Sequence, residues 1–100
     1  MNYLDNEISA LREKTNQNRR QFLETDLQSC FIAIEKARFE LSLGNTHEAQ
    51  KELAVAGRGA DIIEQLLRKG AGDMADIEAK LAKLRSSLES LRAELDSSTS

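Results

Sequence analysis

Met74-Ala75-Asp76-Ile77-Glu78-Ala79-Lys80-Leu81-Ala82-Lys83-Leu84-Arg85-Ser86-Ser87-Leu88-Glu89-Ser90-Leu91-Arg92-Ala93-Glu94-Leu95 decides the fold class. Its apolar residues Met74, Ile77, Leu81, Leu84, Leu88, Leu91 and Leu95 fall at spacings of 3, 4, 3, 4, 3 and 4. No Gly or Pro interrupts them, and the intervening residues are Ala, Ser and charged. That rhythm is the seam of a coiled coil, with apolar residues on one narrow stripe. A stripe that narrow needs the matching stripe of another helix.

Upstream, Leu23, Leu27, Cys30, Ile34, Ala37 and Leu41 recur at 4, 3, 4, 3 and 4, with Phe31 and Arg38 widening the face. A weaker series, Leu4, Ile8, Leu11 and Thr15, precedes them. Between the two lies Asn16-Gln17-Asn18-Arg19-Arg20-Gln21, polar throughout but free of helix breakers. The spacing predicts one long helix over about 2–43 with a phase slip or short kink. Gly44 supplies the residue that commonly ends a helix in the left-handed conformation. Asn45 is expected to cap the next helix, with Glu48 completing a box-like arrangement. That helix, 46–69, carries Ala49, Leu53, Ala56, Ala60, Ile63 and Leu67 on one stripe. Arg68 and Lys69 suit its C-terminal dipole, and Gly70-Ala71-Gly72 is a short joint. Asp73 is the expected cap of the third helix, 73–96, and 97–100 should fray.

The expected architecture is therefore all-α: an antiparallel helical hairpin or three-helix bundle with heptad seams, one domain over 1–96. Helix lengths favour the extended hairpin, in which the third helix continues past the glycine joint and covers residues 1–20. Residues 16–21 would then face the joint at 70–72. An extended hairpin of this size is marginal alone, which points to a homo-oligomer, a dimer in the first instance.

Composition narrows function. Pro and Trp are absent, aromatics make up 4%, and the net charge is −3. No segment is basic enough to bind phosphates, so nucleic acid is disfavoured as a partner. The N-terminal residues lack the basic and apolar regions of a signal peptide, and no apolar run approaches the roughly 18–20 residues that cross a bilayer. A cytoplasmic chain is expected. Cys30 is the only cysteine, which rules out an internal disulfide. Its apolar neighbours read as a buried position. His47 sits in the first turn of the second helix with no nucleophile or second His nearby. No metal, cofactor or catalytic set is indicated, and the chain is expected not to be an enzyme.

Ala56-Gly57-Arg58-Gly59-Ala60 is the most unusual stretch. Two mid-helix glycines cost roughly 1 kcal/mol each relative to Ala, so Ala56, Gly57, Gly59 and Ala60 are read as a close-packing notch, with Phe31 placed to fill it. Glu64–Arg68 and Asp76–Lys80 are ion-pair candidates one helical turn apart. Arg19-Arg20 reads as a solvated pair. Leu43-Gly44-Asn45-Thr46-His47-Glu48-Ala49, followed by Leu53 and Ala56, is similar to the turn that opens a helix in tetratricopeptide repeats. The pattern lacks the preceding Trp and Tyr and does not recur at that family's repeat length, so the family is not assigned.

The function these features imply is a helical protein–protein interaction or oligomerisation module. Its expected interaction seam is Ile8, Leu11, Met74, Ile77, Leu81, Leu84, Leu88, Leu91 and Leu95. The alternative is a small regulatory or chaperone-like protein that masks a surface of a larger protein.

Overall fold

The computed structural model describes the backbone of residues 3–70 and 73–99, and the side chains of residues 17–70 and 73–97. Three helices account for almost all of it: α1 (Tyr3–Ser42), α2 (Thr46–Lys69) and α3 (Ala75–Thr99). The polar stretch 16–21 leaves α1 unbroken. A helix as long as α1 extends about 60 Å, at roughly 1.5 Å per residue. It accordingly runs most of the 68 Å length of a molecule only 16 Å across.

The α1–α2 turn closes as the sequence demands. Gly44 has φ +81°, the only positive φ among the described residues. Its N–H donates to the Leu41 carbonyl and that of Asn45 donates to the Glu40 carbonyl. These are the paired bonds of a Schellman motif. The expected box at the start of α2 does not form. The Asn45 amide instead donates to Glu40 Oε2 at 2.8 Å, and Glu48 pairs with Lys51. Donating to the charged Glu40 carboxylate holds the Asn45 side chain toward the end of α1, and it makes no cap bond to the first amides of α2. At the start of α3 the Asp73 carboxylate accepts the Ala75 N–H at 3.1 Å, as expected of a cap. The helix then runs to Thr99, because the serines after Leu95 carry no breaker.

The extended hairpin is not what forms. α3 instead runs back along the other two helices and packs on both α1 and α2, making a three-helix bundle with α3 antiparallel to α2 and alongside the second half of α1. Cross-bundle contacts fix this register: Arg20 with Asp76, Arg85 with Asp61 and Glu64, and Arg92 over Gly57. Leu23, Leu27, Ile34, Ile63, Ile77, Leu84 and Leu91 are its largest fully buried side chains. The reason lies in the width of α1. Leu27, Cys30, Phe31, Ala33, Ile34 and Ala37 all pack in or against the core. Together they cover more of the helix surface than one antiparallel partner can bury, and α3 closes the remainder. The four-residue series near the N-terminus offers α3 far less apolar area.

Candidate functional site

Of the seam residues expected from sequence, Ile77, Leu81, Leu84, Leu88, Leu91 and Leu95 lie in the core of the chain's own bundle, and Met74 packs half-buried at its edge. They face α1 and α2 of the same molecule. The side chains of Ile8 and Leu11 lie outside the described residues.

The notch does bring helices close. Ala56 and Ala60 are fully buried, and a Cβ on Gly59 would collide with Cys30 Sγ. Cys30, not Phe31, is therefore the residue that meets it. Phe31 is too far round α1, where with Leu27 it floors an open groove of about 700 Å³ between α1 and α3. Glu24, Gln28 and Glu35 line one wall of that groove, and Lys80, Lys83 and Ser87 the other. Gly57 lies beneath the Arg92 guanidinium, 3.1 Å from where a Cβ would stand. Burial pushes the Cys30 thiol pKa up, with Asp26 adding a smaller push. It is therefore a poor nucleophile at neutral pH.

Arg19 and Arg20 are not simply solvated. Arg19 donates to the Leu66 carbonyl near the end of α2 and fills the space that a side chain at Gly70 would need. Arg20 grips the Asp76 carboxylate with both nitrogens, at 2.7 and 3.1 Å to Oδ1. Asp76 is thus engaged across the bundle, and Lys80 turns to the groove. The Glu64–Arg68 pair forms at 3.4 Å. Of the polar stretch, Arg19 thus packs against Gly70 at the end of α2. Among the described residues no group of three or more His, Cys, Asp or Glu is placed to hold a metal ion, and no helix is long and apolar enough to cross a membrane. His47 is exposed.

What the sequence reading missed is an outward face. Phe22, Ile32, Phe39 and Leu43 are 52, 46, 62 and 59% exposed, and Val55 and Ile62 about half. α3 has no large apolar side chain comparably exposed among its described residues. The four on and just after α1 are not scattered. Carried forward at alternating 3 and 4, the series Leu4, Ile8, Leu11 and Thr15 continues through Asn18, Phe22, Thr25, Ser29, Ile32, Lys36, Phe39 and Leu43. All four of these exposed residues fall on it. One residue after this line, Arg19 turns to α2; one residue before it, Gln28 and Glu35 line the α1–α3 groove. The line therefore points away from the bundle axis. On α2, Val55 and Ile62 flank Gly59 at four and three residues, on the side that adjoins α1. Extending the N-terminal series past the polar stretch would have found this seam from sequence.

Comparison with protein-family models, with curated proteins and with solved structures finds no match to this chain.

Proposed function

We propose that the chain is a non-enzymatic helical protein–protein interaction module, and that its contact surface is the outward seam of α1 with Val55 and Ile62 beside it. One observation carries this reading: the exposed large apolar residues along α1 share a single heptad register. Singly scattered surface hydrophobes are ordinary, whereas an aligned apolar face marks a surface that another molecule covers. Polar residues at Asn18, Thr25, Ser29 and Lys36 on the same line keep it weakly apolar. That suits a contact made and broken by an independently folded bundle.

A photoreactive phenylalanine at position 39, compared with one at Lys80 in the α1–α3 groove, tests the reading in the producing cells. Discrete adducts at position 39, absent from position 80, are expected. No adduct at 39 above the level at 80 would reject it.

A further inference from the structure

We infer that the occupant of this seam is a second copy of the chain, running antiparallel. The inference rests on the interaction reading above and names its partner. α1 is longer than the bundle it belongs to, with 40 residues against 24 in α2 and 25 in α3. Arg19 and Arg20 lie level with the end of α2 and the start of α3, so the helix before them projects past both. The outward register therefore has two halves, Phe22 to Leu43 on the bundle and Leu4 to Asn18 on the projecting arm. The two are similar in length, on the order of four to six helical turns each. Antiparallel pairing about a twofold axis near Leu23 lays each arm on the bundle face of the other copy. Both halves are then covered, and the contact is closed and self-complementary.

Residue chemistry along the line selects the orientation. A parallel pair would stack each seam position on its own copy, setting Lys36 against Lys36 and Asn18 against Asn18. It would also bring position Lys14 beside Arg19 and Glu35 beside Glu40 on the flanks. The antiparallel register sets position Leu4 against Leu43 and Ile8 against Phe39, and gathers Asn18 with Ser29 at the centre. Lys36 then meets position Leu11, where a lysine stem can lie over apolar surface while the ammonium reaches water. Position Lys14 falls beside Glu35 of the second copy; one like-charge approach, Asp5 with Glu40, remains at the ends.

Sedimentation across a concentration series on the full chain tests the stoichiometry, and spin labels test the orientation. The wild type should approach twice the 11.2 kDa of one chain. Ile32→Glu/Phe39→Glu, at exposed positions, should remain a helical monomer whose cooperative melt, unlike the wild type's, does not shift with protein concentration. In Cys30→Ala protein, labels at Gln21 should come within roughly 20 Å of each other, and labels at Glu35 should lie roughly 35 Å apart, from about 23 residues of axial offset at about 1.5 Å each. Short distances at both sites would overturn the antiparallel arrangement. A monomer at every concentration, or a dimer unaffected by Ile32→Glu/Phe39→Glu, would overturn self-pairing at this seam. A monomer that still gave discrete adducts at position 39 would leave the interaction reading standing with a foreign partner; loss of the adducts as well would end both.

Discussion

At the scale of single residues, the mid-helix glycines divide into one that packing requires and one that it does not. Gly59 stands against Cys30 Sγ, a short side chain with nowhere to go. Gly59→Ala should therefore destabilise by about 1–3 kcal/mol despite the gain in helix propensity. Removing the sulfur makes room. In a Cys30→Ala background the same change should cost nothing or stabilise, a coupling that urea melts of the four proteins would measure. Gly57 faces only the end of the flexible Arg92 side chain, which can swing into solvent. Gly57→Ala should therefore stabilise by about 0.5–1 kcal/mol. If the two glycines respond alike, the helix approach at Gly59 is wrong. The sequence announced that these positions were costly for a helix but could not say which neighbour answered them. Cys30 and Phe31 are adjacent in the chain, and only the rotation of α1 about its axis decides which of them meets α2.

Cys30 also gives a chemical test at this scale. Its folded pKa is raised because burial disfavours the thiolate. Any stability it contributes is fully present below the free-thiol pKa and is lost as pH rises from there through the raised folded value. At neutral pH, alkylation of Cys30 by iodoacetamide should be slow in the native chain and fast in denaturant. Equal rates would mean the α1–α2 contact opens freely.

At the scale of elements, α1 does two things with one sequence. Its second half carries a broad inward face for α2 and α3 and, through Phe22, Ile32 and Phe39, a second, thinner register outward. Read in isolation, the change of phase near residue 18 looks like a slip or a kink. It is where the inward face begins, while the 4/3 spacing that starts at Leu4 continues in sequence through Phe22 to Leu43. The polar stretch there closes the bundle, since Arg19 satisfies a carbonyl near the end of α2. Arg19→Ala should cost about 1–2 kcal/mol, and Gly70→Ala, which displaces the same guanidinium, should cost a similar amount. Because both changes remove one contact, thermal melts of the double variant should show little further loss. The Arg20–Asp76 pair is partly exposed at both ends. Removing it should change stability by about 1 kcal/mol at most.

At the scale of the whole molecule, the all-α class, the three helices and the turn at Gly44 were legible because each rests on local signals: period, breakers and a glycine that needs positive φ. The direction of α3 was not. Length matching alone favoured an extended form, yet the apolar area on α1 decides for reversal. That area becomes visible only when Leu27, Phe31 and Ala33 are seen to face two neighbours at once. The consequence for function is large. The seam that looked most ready for a partner is filled by the chain itself, and the large apolar side chains left open among the described residues lie on and just after α1 and on α2. Leu84 is fully buried. Leu84→Ala should accordingly lower stability by about 2–5 kcal/mol, and denaturant unfolding of the monomer checks it.

The reversal of α3 is the claim on which the rest depends, and one distance tests it most directly. Spin labels at Ala54 and Ser90, in Cys30→Ala protein diluted with unlabelled chain, report a single intramolecular separation. In the bundle the two positions lie at similar height, so their separation should be on the order of the 16 Å width of the molecule plus the label arms. In an extended hairpin the same residues would stand roughly 50 Å apart, from about 36 helical residues at about 1.5 Å each. A short distance means α3 closes its own seam and leaves α1's outward register as the proposed contact surface; a long one would contradict the bundle and return the α3 seam to the solvent.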